Sequence, residues 1–245
     1  MNRQTQVVGI LGGMGPAAGA DFVRLFVQSC AELMQQKGWA VSDQAFPEHW
    51  LAQIPVPDRS NALSQPGFGE HQPLEPMLQA LGKLAALGAT AVAVACNTAH
   101  AWHGALQSRF PHLEVLHVAR EVAQGMKSRG IEEVGLLATE GTYRSKLYEM
   151  ALSEAGVLCH IPTPEEGQQL MRGIYDGVKR NRIELARNCF ASVAQALAAR
   201  HKLSTLVLGC TEIPLALKAL PQGDQVELVD PAVVLAHALA SRALR

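Results

Sequence analysis

The run Val92-Ala93-Val94-Ala95-Cys96-Asn97-Thr98 decides how this chain folds, because it joins a short apolar segment to a polar turn through a cysteine. A second run, Leu206-Val207-Leu208-Gly209-Cys210-Thr211-Glu212, has the same form. At a similar distance upstream, Val8-Gly9-Ile10-Leu11-Gly12 precedes the first run and Val134-Gly135-Leu136-Leu137-Ala138 precedes the second. This repetition predicts a degenerate duplication, in which two lobes of related topology each end a strand in a cysteine.

Short apolar runs alternate with longer segments of helical periodicity. The predicted buried strands are Val7–Leu11, Ala91–Ala95, Val134–Ala138 and Leu206–Leu208, and the predicted helices are Ala17–Gln36, Pro73–Leu87, Thr142–Ala155 and Asn181–Arg200. Such alternation is typical of parallel sheets that are covered by helices on both faces. We therefore predict an α/β fold of two pseudo-symmetric lobes, each a parallel sheet flanked by helices.

The predicted lobes divide the chain near its middle. The N-terminal lobe is expected to span residues 1–115 and the C-terminal lobe residues 116–230, with a C-terminal helix at 231–245 packing back on the first lobe. The segment Ala45–Glu70, rich in proline and glycine, predicts a long loop of the kind that borders an active site. Open α/β sheets bind ligands at the carboxyl ends of their strands, so we expect an active site in the cleft between the lobes.

Composition excludes several classes of function. The formal net charge is -1 and no long basic run occurs, which argues against a nucleic-acid partner. No apolar stretch approaches the roughly 18 residues that a membrane span needs, and no signal peptide is evident, so we expect a cytoplasmic protein with no membrane partner. The five cysteines would be reduced there, and none form a CxxC pair that would indicate structural zinc.

Two cysteines at equivalent strand ends suit proton transfer at carbon. Inversion at a carbon centre needs a base on one face and an acid on the other, and a thiol has an unperturbed pKa of about 8.5, near enough to neutrality for both roles. Cys96 and Cys210 each precede a polar turn and a predicted helix start, where backbone N–H groups favour a thiolate. Cys30, Cys159 and Cys189 are expected to be small buried hydrophobes.

Several motifs resemble those of the aspartate/glutamate racemase superfamily, and of its aspartate racemase branch in particular. The two most specific are Ala95-Cys96-Asn97-Thr98-Ala99-His100 and Gly209-Cys210-Thr211-Glu212-Ile213-Pro214. The others are Gly12-Gly13-Met14-Gly15-Pro16, Pro57-Asp58-Arg59-Ser60, Ala138-Thr139-Glu140-Gly141-Thr142 and Ile174-Tyr175-Asp176-Gly177-Val178-Lys179. The resemblance extends from Gly9 to Asp230, which is nearly the whole chain.

The resemblance implies a homodimeric racemase that needs no pyridoxal phosphate, nucleotide or metal. By it, Cys96 and Cys210 are the acid/base pair, and Arg59 and Lys179 bind the side-chain carboxylate of a small-molecule amino acid. The residues implied to hold the α-carboxylate and amino group are Asn97, Thr98, Thr139, Thr142 and Thr211. We add Met14 and Gly15 as a substrate-binding turn. We also add Glu212, which would orient Cys210 through water, polarise its turn or favour the following helix.

Three alternatives stay open at this point. The approach to the arginine reads Gln53-Ile54-Pro55-Val56, where the family usually has Asn-Pro-x-Ile, so glutamate or a broader set of amino acids could replace aspartate. A second interpretation is cis–trans isomerisation or decarboxylation with one cysteine as nucleophile. A third is a non-catalytic protein that binds an acidic amino acid. Two weaker signals, the dinucleotide-like Gly13–Ala18 and the pair His100 and His103, are discounted as nucleotide and metal sites.

Overall fold

Two compact units make up the chain in the computed structural model. The first comprises Met1–Glu121 with Ala232–Arg245, and the second comprises Val122–Pro231. The structure describes residues 5–64, 71–220 and 226–245. Each unit contains a four-stranded parallel sheet with helices packed against it, which confirms the predicted α/β fold. Among the described residues, no helix is both long and apolar enough to cross a membrane.

Eight strands and eleven α-helices are found in the described residues. The strands are β1 Val8–Gly12, β2 His49–Gln53, β3 Ala91–Val94, β4 Glu114–Val115, β5 Glu133–Ala138, β6 Leu158–His160, β7 Thr205–Gly209 and β8 Glu227–Val229. The helices are α1 Pro16–Gln36, α2 Arg59–Ser64, α3 His71–Ala86, α4 His103–Arg109, α5 Val118–Ser128, α6 Glu140–Ser145, α7 Leu147–Glu154, α8 Pro164–Arg172, α9 Ile183–His201, α10 Ile213–Ala216 and α11 Pro231–Ala243.

The two sheets have the same strand order. It is β2-β1-β3-β4 in the first unit and β6-β5-β7-β8 in the second, with every neighbouring pair parallel. In each sheet the first strand in the chain lies between the second and the third, so the chain changes direction across the sheet between two central strands. Such a switch point opens a crevice at the carboxyl ends of those strands, where α/β proteins bind ligands.

The central strands are apolar except for Glu133, which is exposed at the start of β5, and Thr205, which is buried at the start of β7. Every residue of β1, β3 and β7 is buried, which explains why these strands are continuous apolar runs in the sequence. Two glycines let the strands pack closely. A Cβ at Gly9 would lie 2.9 Å from Val92 Cγ2, and one at Gly135 would lie 2.4 Å from Leu206 Cδ2.

The C-terminal helix α11 belongs to the first unit. The N–H of Gln6 donates to the carbonyl oxygen of Ala243 at 2.9 Å. Arg242 also donates from Nε to Glu114 at 3.0 Å and from Nη2 to Glu121 at 2.8 Å. These contacts tie the end of the chain to the segment before β1, to β4 and to Glu121 in the part of α5 that belongs to the first unit.

Two parts of the sequence-based prediction were wrong. The segment Ala45–Glu70, predicted as a long loop, contains β2 and α2, and its residues 65–70 lie outside the described part. Because β2 is an edge strand with exposed Trp50 and Leu51, it lacks the continuous apolar run of a central strand. The predicted helix Thr142–Ala155 is divided between α6 and α7, since Lys146 adopts a left-handed conformation at φ 51°. Helical periodicity does not reveal a single such residue.

Candidate active site

Cys96 and Cys210 lie at equivalent places in their own sheets. Cys96 follows β3 and Cys210 follows β7, and both side chains are buried. The N–H of Cys96 donates to the carbonyl oxygen of Val94 at 2.8 Å, and the N–H of Cys210 donates to that of Leu208 at 2.8 Å. Each sulfur is therefore carried by the same tight turn at the carboxyl end of a central strand.

The turn after β1 lies beside the Cys96 turn, because β1 and β3 are neighbours. Gly13 has φ 95°, and a Cβ there would lie only 2.1 Å from the carbonyl oxygen of Ile54, so only glycine fits. Met14 and Gly15 follow, and α1 begins at Pro16, a residue suited to the first helical turn. Asn97 and Thr98, both buried, begin the short 3₁₀ turn after Cys96.

Gln53 holds this first turn in place, a role that the sequence did not reveal. Its Nε2 donates to the carbonyl oxygen of Pro16 at 2.9 Å. Its Oε1 would lie 2.3 Å from a Cβ at Gly12 and 2.1 Å from one at Gly19. The sequence signal was the pair of glycines seven positions apart, which leave room for a side chain from β2 over the start of α1.

Arg59 is anchored on main-chain oxygens of the first unit. Its Nη1 donates to the carbonyl oxygens of Val56 and Pro57, both at 3.0 Å, and its Nη2 donates to that of Met14 at 2.6 Å. The predicted substrate-binding arginine thus also joins the segment between β2 and α2 to the turn after β1. Its contact with a substrate carboxylate stays a prediction.

Three histidine rings pack behind Cys96. His100 Nδ1 lies 2.9 Å from the carbonyl oxygen of Cys96, and His103 Nε2 lies 2.7 Å from that of Val115. The ring of His117 lies 5.6 Å from that of His100 and 4.7 Å from that of His103, between centroids. Burial lowers the pKa of His100 to about 4 and that of His117 to about 3, and it also lowers the pKa of His103. The cluster is therefore uncharged at neutral pH.

The turn after β5 carries two threonines that cap α6. Thr139 Oγ1 accepts a hydrogen bond from the N–H of Thr142 at 3.2 Å, and the two hydroxyl oxygens lie 3.1 Å apart. Tyr143 supports this turn through hydrogen bonds to β5. Its hydroxyl donates to the carbonyl oxygen of Leu136 at 2.9 Å and accepts from the N–H of Ala138 at 2.8 Å. The phenol thereby satisfies backbone groups of β5 beyond the end of β6.

Glu212 touches the sulfur of Cys210 directly. The Cys210 Sγ donates to Oε2 of Glu212 at 3.1 Å, and the hydroxyl of Thr211 donates to the same oxygen at 3.1 Å. Glu212 is only 6% exposed. The sequence suggested contact through water or a role in the helix start, whereas the structure shows a direct hydrogen bond.

Lys179 lies towards the carboxyl edge of the second sheet. It belongs to a short 3₁₀ turn, Val178–Arg180, just before α9, and α9 runs back to the start of β7. Near the N-terminus of α9, Arg187 Nε donates to the carbonyl oxygen of Ala216 in α10 at 3.4 Å, which places this end beside the Cys210 turn. The Lys179 Nζ lies 3.9 Å from the ring centroid of Tyr175, a cation–π contact.

The predicted site residues therefore form two groups, one at the carboxyl edge of each sheet. The first unit carries Met14, Gly15, Arg59, Cys96, Asn97 and Thr98, and the second carries Thr139, Thr142, Lys179, Cys210, Thr211 and Glu212. That the two groups meet around one substrate stays a prediction.

The other three cysteines have different surroundings. Cys30 and Cys189 are buried in α1 and α9, and Cys159 is half-buried on β6. Burial raises the pKa of Cys30 and of Cys159 to about 12 and also raises that of Cys189, so these thiols are poor proton acceptors. Within the described ranges, no three His, Cys, Asp or Glu side chains are grouped to hold a metal ion.

Comparison with known proteins identifies the family. A sequence model of the Asp/Glu/hydantoin racemases matches residues 11–239, and this chain belongs to that family. The chain is similar to the aspartate racemase of Picrophilus torridus, whose solved structure is 27% identical with a TM-score of 0.79, over 97% of this chain and 94% of that one.

Two further relatives differ in substrate. The broad specificity amino-acid racemase RacX of Bacillus subtilis is 21% identical over 236 residues, covering 96% of this chain and 97% of RacX. Glutamate racemase 2 of Caldanaerobacter subterraneus is 29% identical over 153 residues, covering 60% of this chain and 54% of that protein. Membership of the family thus supports amino-acid racemisation but does not determine which amino acid is the substrate.

Proposed function

We propose that this protein racemises an acidic amino acid, with aspartate as the preferred substrate, through Cys96 and Cys210 and without a cofactor. The observation that carries the proposal is the equivalent placement of two buried cysteines. Each follows a central strand at the switch point of its own parallel sheet, with the same backbone turn and with polar neighbours.

In the proposed reaction the sulfurs act on opposite faces of Cα. One cysteine, as thiolate, takes the α-proton, and the electron pair left on carbon is delocalised towards the α-carboxylate. The other cysteine, as thiol, returns a proton from the opposite face, and the roles exchange for the other enantiomer. The hydroxyl groups of Thr139 and Thr142, with Asn97, Thr98 and Thr211, would hold the α-carboxylate and amino group.

The proposed side-chain recognition uses two cations. Arg59, fixed by three main-chain carbonyl oxygens, and Lys179, stacked on Tyr175, would bind the distal carboxylate of aspartate. A fixed guanidinium fork suits a carboxylate in one orientation, while an ammonium adds charge without strong directionality. The likeness to an aspartate racemase over nearly the full chain supports aspartate.

A broader substrate range is the second candidate. It is favoured by the match to RacX, which covers nearly the whole of both chains, and by the departure of Gln53-Ile54-Pro55-Val56 from the usual family sequence next to Arg59. We also propose that the protein is a homodimer. It would work where thiols stay reduced, as in the cytoplasm, because the reaction consumes no oxidant and needs both sulfurs free.

The test is solvent exchange at Cα without added cofactor. The purified protein is incubated in D2O with L-aspartate, L-glutamate and several neutral amino acids, and deuterium and enantiomer are followed by NMR and chiral chromatography. Deuterated D-aspartate formed faster than any other product supports the proposal, while similar rates across the panel favour the broad-specificity enzyme. Tight binding of aspartate with no exchange would identify a binding protein instead.

A further inference from the structure

Glu212 and Cys210 share one hydrogen bond in the second unit, and this contact has no counterpart in the sequence around Cys96. The second position after Cys210 is Glu212, whereas the second position after Cys96 is Thr98. At this position the duplicated pattern therefore has a carboxylate after Cys210 and a hydroxyl after Cys96. The Sγ–Oε2 distance is 3.1 Å, and the two residues are 5% and 6% exposed.

We propose that Glu212 sets the protonation state of Cys210, keeping it a thiol in the resting enzyme and returning its proton after it has been given up. This inference rests on the proposed racemase function. Cys210 is then the resting acid, and Cys96 is the resting base. Glu212 touches a reacting atom and so acts as a catalytic residue in its own right.

The physical reason is repulsion between two negative charges. A carboxylate within hydrogen-bond distance of a sulfur opposes ionisation of the thiol, and low exposure of both groups leaves little water to screen it. The pair therefore holds a single negative charge, which the carboxylate carries while it accepts the S–H hydrogen bond.

Three other titratable groups in the surroundings of Cys210 carry no charge at pH 7. Tyr143 and Tyr148 interact with Cys210, and burial raises the pKa of both, so they are neutral at pH 7. Cys159, whose pKa burial raises to about 12, is also neutral there. The charge of Asp230 also raises the pKa of Tyr148. Glu212 carries a carboxylate in direct contact with the sulfur.

The proton balance is as follows. In one turnover the S–H bond of Cys210 breaks, its electron pair stays on sulfur, and the proton forms a C–H bond with the carbanion at Cα. The thiolate now lies beside the Glu212 carboxylate. Cys96, which took the α-proton from carbon, releases that proton to water, breaking its S–H bond and becoming a thiolate again. Water supplies a proton to Oε2, and the carboxyl group passes it to the sulfur of Cys210, breaking O–H and forming S–H, so the number of protons on the pair is unchanged. The resting pair is restored.

The test measures ionisation of Cys210 without turnover. The wild type, Glu212→Gln, Glu212→Asp and the control Glu154→Gln, an exposed glutamate on α7, are alkylated with iodoacetamide from pH 6 to pH 10. Mass spectrometry quantifies each cysteine separately. We expect Glu212→Gln to lower the midpoint for Cys210 by about one pH unit, so that alkylation at pH 7 is about tenfold faster. Glu212→Asp and Glu154→Gln should shift it less, and the midpoint for Cys96 should not change.

A second readout does not depend on whether iodoacetamide can reach the buried sulfur. Thiolate absorbance at 240 nm is titrated in the Cys96→Ala background, with and without Glu212→Gln, after circular dichroism has shown that both variants fold. An unchanged Cys210 midpoint in folded Glu212→Gln, by both readouts, would overturn the proposal. A shifted midpoint in a protein that racemises nothing would instead contradict the proposed function and leave the Glu212–Cys210 pair intact.

Discussion

The guanidinium of Arg59 donates a hydrogen bond from Nη2 to the main-chain carbonyl oxygen of Met14 at 2.6 Å. The contact joins the start of α2 to the turn after β1, two segments 45 residues apart in the chain. Because Nη1 of the same side chain also donates to the carbonyl oxygens of Val56 and Pro57, one residue holds the segment before α2 against the turn after β1.

Replacing Arg59 by lysine should therefore damage more than charge recognition. An ammonium cannot reproduce the fork, so the three carbonyl oxygens lose part of their hydrogen bonding, and Arg59→Lys should destabilise the first unit by about 1–3 kcal/mol. We also expect the KM for aspartate to rise at least about tenfold, which is 1.4 kcal/mol of binding. Urea unfolding and steady-state kinetics measure the two effects. Arg24→Lys, on the exposed side of α1, is the matched control; equal behaviour of the two variants would contradict the clamp.

Removing the hydroxyl of Tyr143 should loosen the threonine turn of the second unit. Tyr143→Phe leaves the N–H of Ala138 and the carbonyl oxygen of Leu136 without their phenol partner. Loss of hydrogen bonding at buried backbone groups costs about 1–3 kcal/mol for each group, so we expect a total loss of about 2–6 kcal/mol for the two groups. Amide hydrogen exchange at Ala138 should quicken in parallel. If the Ala138 amide exchanges as slowly in Tyr143→Phe as in the wild type, the phenol hydroxyl does not hold the threonine turn.

Loss of the contact between Tyr175 and Lys179 should raise the KM for aspartate and leave the free energy of unfolding nearly unchanged. The ammonium lies 3.9 Å from the ring centroid, and such contacts contribute about 0.5–2 kcal/mol. Tyr175→Leu should therefore raise the KM for aspartate by roughly 2- to 30-fold, whereas Tyr175→Phe, which keeps the aromatic face, should stay near wild type. If Phe and Leu raise KM equally, the ring does not position Lys179.

Acid should destabilise the first unit through its histidine cluster. In the unfolded chain these imidazoles protonate near pH 6.5, but burial lowers the pKa of His100 to about 4 and that of His117 to about 3. Arg120 also lowers the pKa of His103 and His117. The unfolded state thus binds more protons below pH 6.5, and stability present above that pH is lost as the pH falls towards 4.

The slope of that loss can be measured. Each depressed histidine should contribute up to about 1.4 kcal/mol per pH unit to the fall in unfolding free energy between pH 6.5 and pH 4. Urea unfolding at half-unit steps gives the slope for the wild type and for His117→Gln. The variant should show a shallower slope over this interval. A slope that does not change on replacement would mean that His117 does not titrate differently on folding.

The sequence predicted the central strands well because burial on both faces leaves a plain apolar signature. It missed β2 for the opposite reason: an edge strand with exposed Trp50 and Leu51 resembles a loop. Motif positions were sufficient to place Cys96 and Cys210 at strand ends, since a run of β residues ending in a polar turn fixes where a strand stops.

The contacts around the site were not predictable. Gln53 acts through two distant glycines, Arg59 through carbonyl groups that every residue possesses, and Tyr143 through backbone atoms of β5. The partners of Arg59 and Tyr143 have no sequence signature, because main-chain oxygens and N–H groups are the same at every position. The direct Glu212–Cys210 contact depends on side-chain conformation, which spacing alone leaves open.

The most direct test of the two-cysteine reaction follows the label at low conversion. L-Aspartate is incubated in D2O with the wild type, and the D-aspartate formed and the L-aspartate that remains are separated and analysed for deuterium. Two bases predict a fully labelled product and an unlabelled substrate, and Cys96→Ser and Cys210→Ser should each lose inversion. Equal labelling of both pools, or full activity in either serine variant, would contradict the account.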